Sequence, residues 1–439
     1  MDTLFPLPES ARPREEEVRG WAKPRVQEAN RSQVELRAVD LEALLSADHR
    51  ARVVWAFVEG LDLSPFYASI RAVEGHAGRS PIDPKILLAL WLYATLEGVG
   101  SARALERLCG SHDAYRWIAG GVSVNYHTLA DFRVDHVEEL DGLLTQSVAA
   151  LMAAGAVKLR RVAQDGMRVR ASAGAASFRR KTTLEACLEA AEAQVKALRE
   201  ELEADAGATA RRQRAAQERA ARERQARVAK ALEHLPEVAA KKKVKEREQA
   251  RASTTDPEAR VMKMADGGFR PAFNAQLATD TESQVVVGVA VTNSGSDQGQ
   301  MSPMVEQLEE RYGRTAEAWL VDGGFAALAE IERVSQAGST VYAPVMEPRD
   351  PTRDPHEPRP GDSPEVAAWR QRMGTEEAKT IYKERAATSE CVNAHSRNRG
   401  LQQFPVRGVS KGTALVLWYA LAHNVLRTAA LLGLGAGIT

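Results

Sequence analysis

The sequence predicts an α/β protein, α+β overall, in which an all-helical region leads into a mixed sheet interrupted by a long helical hairpin. Three observations support this. Apolar residues recur at helical spacing in short segments between 41 and 154. The pattern changes to alternation at 162–169 and returns to it at 259–264, 273–279 and 284–291, the mark of strands. Between these strand regions Leu184, Leu188, Ala191, Val195, Leu198 and Leu202 repeat in alternating four- and three-residue steps, a heptad seam. The expected organisation is a polar arm at 1–40, a helical domain at 41–154 and a sheet domain at 155–439 carrying the inserted hairpin 178–250.

Composition narrows the function classes. The chain has 439 residues and zero formal net charge, so it is not basic throughout, and nucleic-acid contact has to come from local clusters. Cys109, Cys187 and Cys391 are far apart, which gives no zinc spacing and no disulfide framework and fits a reducing cytoplasm. The opening residues lack a basic region followed by an apolar run, so no signal peptide is expected. The apolar stretches at 86–95 and 413–433 are too short or are broken by His423, Asn424 and Arg427, and neither reads as membrane-spanning.

Taken in order, Asp83-Pro84 is a helix start, with the acid as N-cap and proline in the first turn. The helix 85–96 that follows carries Ile86, Leu87, Leu90, Trp91 and Tyr93 and reads as buried. Ser101 opens a helix over 103–108 stopped by Gly110, and further helices are expected at 112–118 and 128–133, the last entered through Asn125. Short helices at sharp turns suit either a helix-turn-helix-like DNA reader or a small packing domain. Within the hairpin a second helix is expected over 210–235, after a turn at 205–208. It is rich in Arg211, Arg212, Arg219, Arg222 and Arg224, which form either a solvated face or a phosphate-contacting surface. The seam serves either to join two chains or to close the hairpin on itself.

Beyond the hairpin, a helix is expected at 301–312, a short strand at 318–322, a helix at 326–336 and a strand at 340–343. A loop dense in proline and charge at 345–364 precedes helices at 364–372 and 375–397, and an apolar helix at 413–432 closes the chain.

Three carboxylates stand out. Asp165 sits within an apolar strand, where an unpaired acid is costly to bury. Asp322 ends a later strand, before Gly323-Gly324. Glu390 lies in a long helix, where helical spacing puts it on one face with Asn393 and Arg397, and Tyr382 and Arg385 precede it by one to two turns. Asp266, Asp280 and Asp297 read as turn residues, Asp297 being a rival to Asp322. The order of strands, a strand-helix step and a late acidic helix is the layout of a ribonuclease-H-like fold. Three carboxylates with open positions suit magnesium and phosphodiester cleavage.

The blocks Gln164-Asp-Gly-Met-Arg-Val-Arg170, Leu320-Val-Asp-Gly-Gly-Phe325 and Tyr382-x-x-Arg385-x4-Glu390-x6-Arg397 resemble the catalytic blocks of bacterial insertion-sequence transposases of the DDE type. The third is similar to that superfamily's Tyr-Arg-Glu-Lys signature, with Arg397 in place of lysine and one residue's difference in the step from Arg385 to Glu390. Residues 80–93 and 125–133 are similar to the N-terminal helical domain of the same enzymes. The resemblance implies a transposase that binds terminal inverted repeats, cuts there and joins the 3′ ends to a target. It implies that Asp165, Asp322 and Glu390 are catalytic and hold two Mg2+ ions, for which Mn2+ can substitute. Tyr382, Arg385 and Arg397 would contact DNA, and the helical domain at 41–154 would recognise the ends. The expected partners are double-stranded DNA and a second copy of the chain, with no membrane and no small-molecule substrate, in the cytoplasm at the nucleoid. The alternative is a transposon-derived, sequence-specific DNA-binding protein that does not cut.

Overall fold

The computed structural model describes residues 40–68, 80–204, 208–348 and 352–433, with Ser32, Ile70 and Asp350, and only the backbone for 202–204 and 208–212. The expected arm at 1–40, the turn at 205–208 and the side chains of Leu202, Arg211 and Arg212 therefore lie outside the described residues, apart from Ser32, Asp40 and the backbone of Ala208. The described residues from Leu41 onward form one compact unit.

The helical region comprises α1 (Arg50–Glu59), α2 (Ser64–Ala68), α3 (Pro84–Leu96), α4 (Ala102–Ser111), α5 (Asp113–Ala119), α6 (Tyr126–Asp135) and α7 (Val137–Ala153). Asp83 caps α3 by accepting the Lys85 amide at 2.9 Å, with Pro84 in the first turn. Ser101 and Asn125 cap α4 and α6 in the same way. Gly110 does not stop α4, which runs on to Ser111. A lone glycine costs a helix only about 1 kcal/mol relative to alanine, and here the break falls at His112, whose imidazole caps α5 instead.

Five strands lie side by side in one sheet, and a sixth shares an edge. β1 (Arg161–Arg170) runs antiparallel to β5 (Phe269–Asp280), from Val162 opposite Asp280 to Arg170 opposite Ala272. The other edge of β5 takes β4 (Arg260–Lys263) and β6 (Val286–Thr292), both antiparallel. On its far side β1 is parallel to β7 (Ala318–Leu320), which is parallel to β8 (Thr340–Tyr342). β7 pairs only with Arg161, Val162 and Ala163. At the other end of the same edge, Arg170 bridges to Gln403, donating to the Gln402 carbonyl at 3.0 Å and accepting from the Phe404 amide at 2.8 Å. Residues 164–169 are left unpaired on that edge, in the middle of the sheet.

Between β1 and β4 the chain forms β2 (Phe178–Arg179), α8 (Lys181–Ala204), α9 (Ala208–Ala240) and β3 (Ala252–Ser253). β2 pairs with β3 and closes the base of this excursion. Leu184, Ala191 and Val195 of the heptad seam are buried, as are Ala221, Val228, Ala231 and Leu235 of α9. The seam is thus covered within the chain. α9 also runs through Pro236 to Ala240, beyond its expected end.

The chain continues through α10 (Met301–Tyr312) and α11 (Leu328–Gln336) to α12 (Pro364–Met373), α13 (Glu376–Arg385), a π-helical turn (Ala386–Glu390), α14 (Cys391–Asn398) and α15 (Val409–Leu431). Among the described residues α15 is the one helix long and apolar enough to cross a membrane, yet two-thirds of that stretch is buried. It packs against α3, α7 and β6. The apolar core therefore runs without a break from the helical region into the sheet. At this junction the buried Asn424 amide accepts from the Val286 amide and donates to the Val286 carbonyl, both at 2.8 Å, satisfying the first residue of β6.

Asn424→Leu leaves both backbone groups of Val286 buried and unpaired, and should cost about 2–4 kcal/mol. Urea unfolding measures this as a lower midpoint at unchanged slope. A change below about 0.5 kcal/mol would show that the amide does not tie α15 to the sheet.

Candidate active site

Strand alternation places Ala163, Asp165 and Met167 on one face of β1 and Gln164, Gly166 and Arg168 on the other. Gln164 is fully buried and fixes the strand from three sides. It donates to Gln276 Oε1 at 3.0 Å and the Gln300 carbonyl at 2.8 Å, and accepts from Trp319 Nε1 at 3.0 Å. Asp165, next along, is only half-buried because the β1 edge is open there.

Asp165 Oδ1 accepts the Gly166 amide at 3.0 Å and Oδ2 accepts Asn393 Nδ2 at 2.8 Å. Burial pushes its carboxyl up to about 6, and the negative charges of Asp322 and Asp297 push the same way. The Arg385 guanidinium and the Gly166 amide pull it down and are outweighed.

Asp322 lies two residues beyond the end of β7 and accepts the Gly324 amide at 2.7 Å in a tight turn. Asp297 arrives from the loop after β6. A Cβ built on Gly324 would lie 2.9 Å from Asp322 Oδ1 and 3.7 Å from Asp297 Oδ2, so both carboxylates converge on that glycine. Asp297 is held by Arg168 (Nη2 to Oδ2, 2.8 Å), Asn274 (2.8 Å) and Gln276 (2.7 Å). Burial works against its charge, but these donors hold the carboxyl below the usual range. A Cβ on Gly166 would fall 2.2 Å from Asp297 Oδ1, so only glycine lets β1 approach this loop so closely. Asp297 is thus part of the cluster and more than a turn residue. The polar side chains of Gln164, Asn274 and Gln276, adjacent on two buried strands, were the sequence signal for it.

α13 is pinned to the start of β1 by Glu384, which accepts from Arg161 Nε at 2.8 Å and Thr281 Oγ1 at 3.0 Å. The Arg385 guanidinium lies 5.9 Å from the Tyr382 ring centre. Burial raises the Tyr382 hydroxyl above the phenol range, opposed by Arg385 and reinforced by Asp322 and Asp165. These four side chains therefore share one electrostatic site.

The π-helical turn inserts one residue between Arg385 and Glu390. Such single-turn bulges occur often at functional sites. Its buried Thr388 accepts Gln284 Nε2 at 3.0 Å, tying the turn to the sheet. One helical turn after Glu390, the buried Asn393 reaches Asp165. Glu390 itself is exposed, and among the described residues no hydrogen bond or ion pair joins it to Asp165 or Asp322. Arg397 is exposed too, lining a cleft with Gly166 and Arg168.

Asp165 and Asp322 offer donors of the kind a divalent cation takes. They are hard oxygen donors, and the charge of Asp322 raises the proton affinity of Asp165, an imbalance that a cation would relieve. Among the described residues, however, no three His, Cys, Asp or Glu side chains are already gathered as a metal-binding group. Arg219, Arg222 and Arg224 stand exposed on α9. Arg222 pairs with Glu218 and Arg224 donates to Gln194 at 3.4 Å, and no hydrogen bond or ion pair joins these arginines to the carboxylates.

The raised carboxyl gives a pH-dependent penalty. With a folded-state value near 6 against an ordinary 3.8, the folded protein binds more protons between these values, so its stability falls as pH rises through that window. Asp165→Asn keeps an acceptor for Asn393 and removes the charge. In chelator-treated buffer it should be more stable than wild type by on the order of 1–2 kcal/mol above pH ~6, with the difference vanishing below pH ~4. Thermal unfolding across pH checks this; an equal gain at low pH would contradict it.

Residues 39–135, which contain α1 to α6, match the family model described as a transposase domain (DUF772). No curated protein and no solved structure matches the chain. The matched segment is the helical region rather than the carboxylate-bearing sheet, and it supports a transposase family for this chain.

Proposed function

We propose that this protein is a DDE-type DNA transposase that cuts DNA at the terminal inverted repeats of its element and transfers the strands. The observation that carries this reading is the convergence of Asp165, Asp322, Tyr382 and Arg385, from three distant parts of the chain, on the one gap in the β1 edge. The strand arrangement supports a ribonuclease-H-like fold, with antiparallel β5 and β6 on one side of β1 and parallel β7 and β8 on the other. The transposase-domain match supplies DNA as the partner class.

Asp165, Asp322 and Glu390 would hold Mg2+, two ions replaceable by Mn2+. When bound, these supply Lewis-acid polarisation of the phosphoryl oxygens and acidify the attacking water or 3′-hydroxyl. The protein's own groups do the positioning. Asn393 holds Asp165 through Oδ2, and Arg385, set by Tyr382, offers a planar cation to a phosphate beside the carboxylates. Arg397 adds a second cation at the cleft, and the helical region recognises the ends. Exposed Arg219, Arg222 and Arg224 would contact phosphates along the hairpin. Two ends require two active sites, so the chain acts as a homodimer on DNA at the nucleoid, through a surface other than the seam that α9 covers.

The exposure of Glu390 and the lack of a ready-made three-ligand group favour the second reading, a transposon-derived DNA-binding protein that does not cut. One experiment separates the two. With Mg2+ and a duplex carrying the inverted repeat that flanks its gene, the wild type should cleave and Asp165→Ala should lose roughly 10³-fold or more in rate. Binding of the same duplex should be unchanged. Retained cleavage in the variant would remove Asp165 from the mechanism, and a wild type that binds without cutting would establish the second reading.

A further inference from the structure

Beyond Ala163 no ladder bond ties β1 to the turn that carries Asp322, so backbone pairing does not set the distance between Asp165 and Asp322. The loop after β6 takes over that task. It lies along the Gln164, Gly166 and Arg168 face of β1 and is held at both ends. Gln164 Nε2 donates to the Gln300 carbonyl at 2.8 Å, and Arg168 Nη2 donates to the Gly295 carbonyl at 3.1 Å.

Between these two ties sits Asp297, its side chain only 15% exposed. Oδ1 accepts from Asn274, Gln276 and Arg168, and Oδ2 accepts from Arg168 Nη2. Four hydrogen bonds thus fix the plane of the carboxylate. Its two oxygens face two glycines. Oδ1 is 2.2 Å from where a Cβ would stand on Gly166, and Oδ2 is 3.7 Å from that position on Gly324. These are the glycines whose amides hold the two acids. Gly166 donates to Asp165 Oδ1 at 3.0 Å, and Gly324 donates to Asp322 Oδ1 at 2.7 Å. One clamped carboxylate therefore meets both backbone units that orient the acids, from the face of β1 opposite the Asp165 side chain. Paired in this way, Asp297 acts as a support and not as a ligand.

We infer that Asp297 is a positioning residue: wedged between Gly166 and Gly324, it sets the separation of Asp165 and Asp322. The inference rests on the cation reading of those acids for its consequence, that this separation suits a divalent cation. Groups that hold metal ligands in place change metal affinity or activity by about 10–100-fold when removed.

Two readouts on the full chain test it. Crystal structures of wild type and Asp297→Ala grown in chelator compare the two acids with no cation involved. The variant should show the Gly324 turn displaced against β1, and the separation of the acids changed by on the order of 1 Å, the scale at which catalytic geometry fails. Quenching of the aqueous Mn2+ signal in electron paramagnetic resonance, with Asp165→Asn as the blank, then gives cation affinity. Asp297→Ala should bind Mn2+ about tenfold or more weakly than wild type. Asp297→Asn keeps a planar group between the glycines and should recover most of that loss. Gly166→Ala drives a methyl group against Oδ1 and should reproduce the loss with Asp297 still present. Thermal melting identifies the folded variants, and if Asp297→Ala does not fold, Gly166→Ala replaces it in both readouts. Unmoved acids in the folded variant, or an affinity equal to that of a wild type that binds Mn2+, would overturn the inference. So would Asp297→Asn binding as weakly as Asp297→Ala. A wild type that takes up no Mn2+, beside acids displaced in the variant, refutes the cation reading alone.

Discussion

The site depends on one constraint: a carboxylate in the central strand of the sheet with like charges beside it. β1 is paired along its whole length by β5, but on the other edge β7 leaves after Ala163 and the 402–404 segment joins only at Arg170. Asp165 stands in that gap, and the chain's later loops and helices are arranged around it. Asp322 enters from the end of β7, Asp297 from the loop after β6, and Arg385 and Asn393 from the two helices flanking the π-helical turn. A purely structural role would pair the acid fully and keep its proton affinity low, as Arg168, Asn274 and Gln276 do for Asp297. Asp165 instead has one amide, one side-chain donor and a partly offsetting guanidinium, and remains high. That imbalance is what a bound cation relieves, and it is why the acid reads as functional.

Much of this was legible in the sequence where local chemistry acts alone. Asp83-Pro84, Ser101 and Asn125 cap their helices because a short polar side chain can satisfy a first-turn amide wherever the chain enters a helix. Asp165 could be singled out because an acid in an apolar strand needs a reason. What escaped is what depends on distant partners. Asp297 looks like a turn residue until Gly166 and three polar side chains surround it. Asn393 shares a helix face with Glu390 and Arg397, yet nothing in that spacing says that it rather than Glu390 meets Asp165. The π-helical turn is likewise invisible to helical periodicity.

The larger parts show the same division. The heptad seam identified a helix pair, but whether it would face another chain or its own return helix was a tertiary question, answered by the burial of Leu184 and Val195 beneath α9. The helical region and the sheet share one core through α15, so the segment that matches a transposase domain packs continuously with the sheet that carries the carboxylates.

The proposal that Asp165 and Asp322 form a cation site is tested most directly by thermal unfolding in the presence and absence of Mg2+ at pH ~8, well above the value of about 6 for Asp165. A ligand that binds only the folded protein stabilises it by about 2.7 kcal/mol at a hundredfold excess over its dissociation constant. The account predicts that saturating Mg2+ raises the melting temperature of the wild type and leaves that of Asp165→Asn unmoved. Equal shifts in the two proteins, or none in the wild type, would contradict it.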